Sequence, residues 1–533
     1  MRKKLYTAMR MALLALTGVL LLAPPVQAQN ENDALRFSRQ WPASGPRMMG
    51  MAGAGISGVG NYGALFTNPA GLAYYEQSEV AGAFNVSQVR DDALYQVGDL
   101  SPVAGEQDDT QFGIGNAALA YRFPTARGSL VLAGAFNQAN TFARTLEYTG
   151  TNRFNSITDT YLPQPGNFGV DDDGLPAFDF RIPRVAFEAG ATEFFPGDFE
   201  DGEYPFLQAV TPGTTIQQQD EVIEEGRLTE ASFGGAFEAS KDLMLGLALN
   251  ISFGEYRFTR FYNEIDINNE NTPDLYSIVL ENTTLAGFDQ LSVEESIESN
   301  VVGVGLRGGL ATNLSSALRA GFMVETPTYY TVDETFGTRI TTFFDTGGDL
   351  SSGSVDGSTF TYEVRTPWRL GGGLSYNGSS LTLAADVELV DWSQLELDAD
   401  DASFTAANRR IRDLETVLNT RFGAEYRFNQ LSLRGGFAFQ PDPRDVDIQL
   451  AGDETTDRAK TFYSAGIGYR VNPQLTLNVA WMQEQFDDQY RPYASGPVPG
   501  EVGEGGQPVE TVAPFVDEEV TRNRFLIGLA YAF

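Results

Sequence analysis

The feature that most constrains the fold is an alternation of large apolar with small or polar side chains, clearest at the end of the chain. There, Phe525, Ile527, Leu529 and Tyr531 occupy one face, while small or charged residues occupy the other, with Leu526 as the single large exception. This period of two predicts a β-strand. A strand carries such a pattern when one face meets lipid and the other meets a wet lumen.

The same pattern recurs in fourteen segments, whose connections alternate between short and long. Outer-membrane barrels have tight turns on the periplasmic side and long loops outside, whereas a soluble β-sandwich gives no reason for strict alternation. We therefore predict an all-β fold, a 14-stranded antiparallel transmembrane β-barrel. The predicted strands are residues 79–90, 112–123, 129–140, 229–240, 243–260, 297–312, 317–328, 361–376, 380–396, 414–428, 431–440, 459–470, 475–487 and 521–533.

The chain before the first strand divides into two segments. Residues 1–28 have a basic start, an apolar run and a small-x-small cleavage site, which is typical of a secretory signal peptide. Residues 29–78 are glycine-rich and carry no strand pattern. A fourteen-stranded barrel is too wide for its own side chains to fill, so we expect residues 29–78 to fold into the lumen as a hatch. Residues 79–533 then form the outer-membrane β-barrel with its long extracellular loops.

Composition excludes several classes of function. The 533 residues contain no Cys and no His, which rules out disulfides, Cys/His metal sites and catalysis with imidazole as base. We therefore expect no enzyme, no metal and no cofactor, and hydrolysis by loop carboxylates alone is the remaining enzymatic alternative. Without the four basic residues of the signal peptide, 32 basic residues stand against 71 acidic ones, a net charge of −39. Repulsion argues against nucleic acid as a partner.

The alternation also places charged side chains inside the barrel. A basic residue facing the hydrocarbon near the midplane would cost about 2–4 kcal/mol, so these side chains are expected in the lumen. Acidic residues share the same faces, and structural ion pairs across the lumen are the simplest expectation. The alternative is that one or two of the arginines bind the carboxylate headgroup of a ligand. The headgroup candidates are Arg307, Arg319, Arg369, Arg421 and Arg434.

Short motifs carry a resemblance to a known family. They are residues 33–38, 45–51 and 64–72 near the start, and residues 325–327, 366–371 and 391–393 in the barrel. These resemble the FadL-type outer-membrane transporters, channels for long-chain fatty acids and aromatic hydrocarbons. Asn68-Pro69-Ala70 matches the hatch motif of that family, so the resemblance implies hatch or gating residues at Asn68, Pro69, Ala70 and Gly71. It also implies lateral release of ligand through a gap beside a kinked third strand, with Gly134 as the candidate kink.

Together these features predict a passive transporter in the bacterial cell outer membrane for hydrophobic molecules, with long-chain fatty acids as the leading substrate and lateral diffusion through the barrel wall as the release route. The alternatives are a general porin for polar solutes and a surface adhesin that uses the long acidic loops. We expect a monomer. Its expected partners are hydrophobic small molecules (fatty acids or hydrocarbons), outer-membrane lipid and the barrel assembly machinery.

Overall fold

Most of the described chain is antiparallel β-strand. The computed structural model describes residues 31–533 apart from residues 59, 99–102, 173, 197, 199–202, 281–282, 400–403, 445–455, 503–507 and 512. The predicted signal peptide, residues 1–28, lies outside the described residues. In the part of the chain that is described, no helix is long and apolar enough to cross a membrane.

Fourteen strands close into a barrel, because the last strand pairs with the first along its length. Strands β3, β7 and β8 each consist of two pieces with a short interruption between them. The strands are β1 (Glu79–Gln96), β2 (Val103–Phe123), β3 (Leu130–Thr141 and Arg144–Asn152), β4 (Ile216–Ser240), β5 (Leu243–Ile265), β6 (Thr284–Asn313), β7 (Leu318–Glu325 and Tyr329–Thr346), β8 (Asp349–Arg365 and Arg369–Asn377), β9 (Leu381–Asp391), β10 (Thr416–Phe428), β11 (Leu431–Gln440), β12 (Lys460–Arg470), β13 (Leu475–Tyr490) and β14 (Phe515–Ala532).

The predicted fold class is confirmed, and each predicted strand segment overlaps one barrel strand. The alternation acts as expected: in β5, Leu247 and Phe253 are exposed on the outer face, whereas Ala248 is buried on the inner face. The predicted short turns are also short. Two of them use left-handed backbone, at Asp242 (φ 67°) and Asn429 (φ 54°), a conformation that short polar residues tolerate.

Residues 331–358 lie between the predicted strands 317–328 and 361–376, where the alternation of connections predicts a long loop. They form the outer part of a hairpin instead, so that prediction was wrong. Register pairs between β7 and β8 run from Tyr329 opposite Arg365 to Phe343 opposite Asp349. The pattern was hidden because outward side chains above the bilayer are polar, while the inner face mixes apolar with polar residues. Such strands still pair through their backbones. Other strands extend past their predicted ends on the same side.

The hatch lies inside the barrel. Its described part contains helices α1 (Glu31–Ser38) and α2 (Gly45–Met49) and the 3₁₀ helices Tyr62–Phe66 and Pro69–Tyr74. Its large apolar side chains, including Phe37, Met49, Leu65 and Leu72, are buried. The apolar content of this glycine-rich segment is therefore packed in the lumen.

The described residues of 153–215, which we call the cap, pack against the outer ends of β5, β6 and β7. The cap contains the 3₁₀ helix Ile157–Tyr161, α3 (Arg181–Glu188) and two short strand pairs, Phe168–Val170 with Pro176–Phe178 and Thr192–Phe194 with Phe206–Gln208. Other outer elements are α4 (Thr405–Arg412), the 3₁₀ helix Trp392–Gln394 and the short strands Ser277–Val279, Glu396–Asp398, Gly496–Val502 and Pro508–Thr511. Within the described residues, no cluster of three or more acidic side chains is arranged to hold a metal ion.

Candidate functional site: the hatch and a gap in the barrel wall

The hatch motif identified in the sequence lies at the start of the 3₁₀ helix Pro69–Tyr74. Asn68 caps this helix, because its Oδ1 accepts a hydrogen bond from the backbone N–H of Ala70 at 3.1 Å. Its Nδ2 donates to the backbone oxygen of Ile56 at 2.6 Å, within the hatch, and to that of Leu310 at 3.0 Å, in β6. One buried amide therefore joins two parts of the hatch to the barrel wall.

The barrel wall approaches this motif so closely that only glycine fits at two positions. A Cβ atom at Gly309 would overlap the side chain of Asn68, and one at Gly246 would overlap the backbone of Ala70. Ala70 is fully buried, and Gly71 donates its backbone N–H to the oxygen of Asn68 at 2.9 Å. The hatch is thus pressed against β5 and β6, while the gating role of the motif stays a prediction.

A carboxylate of β9 holds the middle of the hatch. Oδ2 of Asp386 accepts the backbone N–H of Gly55 at 2.6 Å and that of Ile56 at 2.9 Å. Asp386 is buried, so these donors replace part of the hydration that the carboxylate loses. This inward acid binds backbone of the hatch, a contact that alternation cannot foresee.

The first headgroup candidate, Arg307, lies between two acids. Its guanidinium binds Glu230 at 3.0 Å and Glu325 at 2.9 Å, and it also donates to the backbone oxygen of Leu65 in the hatch at 2.9 Å. The Arg307 side chain is 2% exposed. Its charge is therefore balanced by the barrel, and its remaining donors hold the hatch.

Two further candidates share one acid. Nη1 of Arg369 lies 3.4 Å from Oε1 of Glu388, and Nη2 of Arg421 lies 3.0 Å from Oε2 of the same carboxylate. Nη2 of Arg369 also donates to the backbone oxygen of Ser38, the last residue of α1, at 2.5 Å. Positive charge near a helix C-terminus is favourable, so this cluster anchors the other end of the hatch.

The last two candidates lie nearer the periplasmic mouth. Arg434 binds Glu425 at 2.7 Å, and the same carboxylate receives two bonds from Arg47 of the hatch, both 3.1 Å. The guanidinium of Arg319 lies 3.9 Å from the ring centre of Tyr74 in the hatch. Each of the five candidates thus contacts the hatch or shares an acid with a residue that does. Contact of any of them with a ligand headgroup stays a prediction.

A gap opens in the barrel wall between β2 and β3. The two strands pair as far as Asn116 opposite Asn137, and beyond that pair no described strand forms a ladder with this side of β2. Farther out, the side chain of Gln107 in β2 donates to Glu147 in the outer piece of β3. The gap lies level with Phe112 and Ile114, whose side chains are exposed on the outer face of the barrel. It therefore opens within the apolar band that faces lipid.

The bend that separates the strands lies further along β3 than Gly134, the predicted kink. Gly134 is regularly paired with Leu119 of β2 and Phe233 of β4. The register against β4 shifts between Gln138 and Asn140, and the two pieces of β3 part just after. A β-bulge bends the strand here, so the glycine does not mark the position.

Groups from elsewhere in the fold bond to the backbone of β3 at the gap. The backbone N–H of Trp41, in the hatch, donates to the oxygen of Ala139 at 2.9 Å. Arg524 of β14 donates to the backbone oxygen of Gln138 in β3, and Arg522 to that of Ala143 between the two pieces of β3, each at 3.3 Å. Because buried carbonyl groups need partners, these contacts are what allow the strand to leave its neighbour.

Sequence patterns did not identify the residues at the gap. The buried amides of Asn85, Asn116 and Asn137 lie beside it, and Nε of Arg524 donates to Oδ1 of Asn85 at 2.9 Å. Alternation places Arg524 on the inner face of the last strand, but it does not distinguish this arginine from other inward ones. Only the pairing between distant strands brings these residues together.

Comparisons with known proteins agree with this architecture. The family model described as outer membrane protein transport protein (OMPP1/FadL/TodX) matches residues 226–490. Among solved structures, a Pseudomonas aeruginosa FadL homologue is similar with a TM-score of 0.51 and 13% identity, over 93% of this chain and 100% of that one. The P. putida toluene transporter TodX gives a TM-score of 0.48 and 13% identity, over 92% and 99%. A search of curated protein sequences found no match.

The chain belongs to the FadL-type outer-membrane transport protein family. At 13% identity the likeness to the P. aeruginosa structure concerns the fold alone, and a TM-score below 0.5 supports no conclusion from the toluene transporter. Fold and family together define an outer-membrane β-barrel protein that transports hydrophobic compounds.

Proposed function

We propose that the protein takes up long-chain fatty acids passively and releases them sideways, through the gap between β2 and β3, into the bilayer. The observation that carries this proposal is the position of the gap, level with the lipid-facing side chains of Phe112 and Ile114. We infer that a substrate passes from the lumen to the hydrocarbon at this depth.

The energetics of transfer favour this route. An acyl chain of about 16 carbons gains roughly 12 kcal/mol on leaving water, at about 0.8 kcal/mol per CH₂ group. Release into periplasmic water would forfeit that free energy, whereas release into the bilayer keeps it. A sideways exit therefore lets a passive carrier empty its lumen without a source of energy.

The hatch disfavours the alternative of a general porin. A porin needs an aqueous lumen, but the large side chains of Met48, Met49 and Leu65 are buried in the lumen here. Two hydrogen bonds between side chain and backbone hold the hatch against the barrel: Asp386 of β9 accepts the backbone N–H of Gly55, and Asn68 of the hatch donates to the backbone oxygen of Leu310. We propose that the residues Asn68 to Gly71 keep this seal closed to water.

Filling the gap tests the release route. Gly113 lies on β2 beside the gap, where a Cβ atom would be 3.2 Å from the guanidinium of Arg227 on β4. We expect Gly113→Trp to slow uptake of hexadecanoate into proteoliposomes to the level of protein-free vesicles. Gly372→Trp is the matched control, because no atom lies within 4 Å of a Cβ placed at Gly372. Normal uptake by a correctly assembled Gly113→Trp variant would contradict lateral release.

A further inference from the structure

Arg524 of β14 is a buried cation without an acidic partner. Arg524 is 4% exposed. Among the described residues, no carboxylate lies within the 4.0 Å that defines an ion pair with it. The other buried arginines on the inner face each bind an acid; they are Arg260, Arg307, Arg369, Arg421 and Arg434.

The groups that the guanidinium contacts are neutral. It donates to Oδ1 of Asn85 at 2.9 Å and to the backbone oxygen of Gln138 at 3.3 Å, and it lies 4.0 Å from the ring centre of Trp41. A buried charge costs several kcal/mol unless an opposite charge compensates it, and dipoles and a ring face compensate only in part. The site therefore favours an anion.

The acid on the same side of the lumen is already engaged. Glu484 of β13 binds Lys460 at 2.7 Å and lies 3.5 Å from Arg522, and it accepts the indole N–H of Trp41 at 3.2 Å. Glu484 is thus shared between Lys460 and Arg522, and it forms no ion pair with Arg524.

Unpaired amide groups lie at the edge of the same gap. Asn116 and Asn137 form the last register pair before β2 and β3 separate. Both are buried, and among the described residues Nδ2 of Asn116 and Oδ1 of Asn137 have no hydrogen-bond partner. Buried polar atoms are normally satisfied, so a free amide donor here indicates a ligand with an acceptor.

We propose that Arg524, with Nδ2 of Asn116 as a second donor, binds the carboxylate of a hydrophobic substrate at the inner side of the gap. The protein then selects hydrophobic acids over neutral molecules of the same length. A guanidinium binds a carboxylate through two parallel hydrogen bonds, which a neutral ester cannot match. The ring of Trp41 covers this position in the structure, so the headgroup takes the place of the ring. The inference rests on the proposed transport function and assigns the residues that recognise the acid group of the substrate.

The test compares hexadecanoate with its methyl ester, which has the same chain but no charge. Binding to the purified protein in detergent is measured by calorimetry for the wild type, Arg524→Gln and the control Arg90→Gln, which removes an exposed arginine of β1. We expect the wild type and Arg90→Gln to bind the acid about tenfold or more tightly than the ester. In Arg524→Gln the two affinities should be equal, with the affinity for the ester unchanged.

The outcomes separate the inference from the function on which it rests. Equal affinities for acid and ester in the wild type, or a preference that survives in Arg524→Gln, overturn the headgroup site and leave transport intact. Binding of neither ligand by the wild type overturns the transport proposal, and the headgroup site with it. Should Arg524→Gln fail to assemble, Arg524→Lys decides. Lysine keeps the charge but loses the paired bonds, so the preference should shrink, and an unchanged preference overturns the site.

Discussion

The hatch and the cap are both irregular segments packed against the barrel, but different forces hold them. The hatch is joined to the wall through charge and backbone, as where Asp386 accepts two backbone N–H groups. The cap is joined largely through apolar packing: Ile157 and Val185 lie in one buried cluster with Tyr262, Phe288 and Ile340 of the barrel strands. The attachment of the hatch therefore depends on polar anchors, and the attachment of the cap depends on apolar burial.

Glu264, an acid that fixes the cap to the barrel, forms no ion pair with a basic side chain among the described residues. Glu264 of β5 accepts the backbone N–H of Ile157 at 2.9 Å, the amide of Gln218 at 2.7 Å and the hydroxyl of Tyr262 at 2.7 Å, and it also accepts the hydroxyl of Ser156. The contrast teaches that ion pairs and side-chain bonds to backbone hold the hatch, whereas apolar packing and one acid without a basic partner hold the cap.

Deleting part of the hatch should give the largest effect, and deleting part of the cap completes the comparison. We expect deletion of residues 30–60 to produce large, steady conductance in planar bilayers, because the hatch fills the lumen. Deletion of residues 164–180 in the cap is the matched control and should leave the channel closed. Unchanged conductance after the hatch deletion would show that the hatch is not the seal.

Removing the amide of Asn68 should loosen the hatch without preventing barrel assembly. Asn68→Ala leaves the backbone oxygens of Ile56 and Leu310 without this donor, at a cost of about 3 kcal/mol for two buried groups. Hydrogen exchange of the hatch should rise and hexadecanoate uptake should fall. Heat-modifiable mobility on gels reports assembly. Normal uptake would mean that the motif takes no part in gating.

The matching change in the cap is Glu264→Gln. The amide of the new side chain faces donors instead of accepting from them, so we expect the cap to lose about 2 kcal/mol of local stability. Proteolysis of the cap should accelerate, whereas conductance should stay at the wild-type level. A leaking channel in this variant would contradict the distinction between the hatch as the seal and the cap as an outer cover.

The smallest effect concerns pH. Burial raises the pKa of Glu193, in the cap, to about 7. A carboxyl group with a raised pKa takes up a proton on folding, so its contribution to stability is complete below its ordinary pKa and is lost as the pH rises through about 7. The cap should therefore be cleaved more readily at pH 8 than at pH 5, relative to Glu193→Gln. An identical pH profile for the two proteins would contradict this.

The alternation predicted the barrel well because the side chains of each strand reflect, within that strand, which face meets lipid and which face meets the lumen. Strand number, turn positions and the inward direction of Arg307 all follow from period two, which is local. The partners of that arginine do not, because they depend on how β4, β6 and β7 meet. The bulge in β3 is a single-residue change of register and leaves no mark in composition. For the same reason Arg524 could not be separated from other inward arginines.

The length of β6 has a consequence for where the protein meets its cargo. Its 30 residues include lipid-facing side chains only from Val302 to Leu310, so residues 284–301 stand clear of the hydrocarbon. At about 3.3 Å per residue and a tilt near 45°, that stretch rises roughly 40 Å. The outer rim of the barrel therefore lies far from the hydrocarbon, in the aqueous layer. The barrel wall extends through the hydrated surface of the membrane, which an apolar molecule does not cross readily on its own.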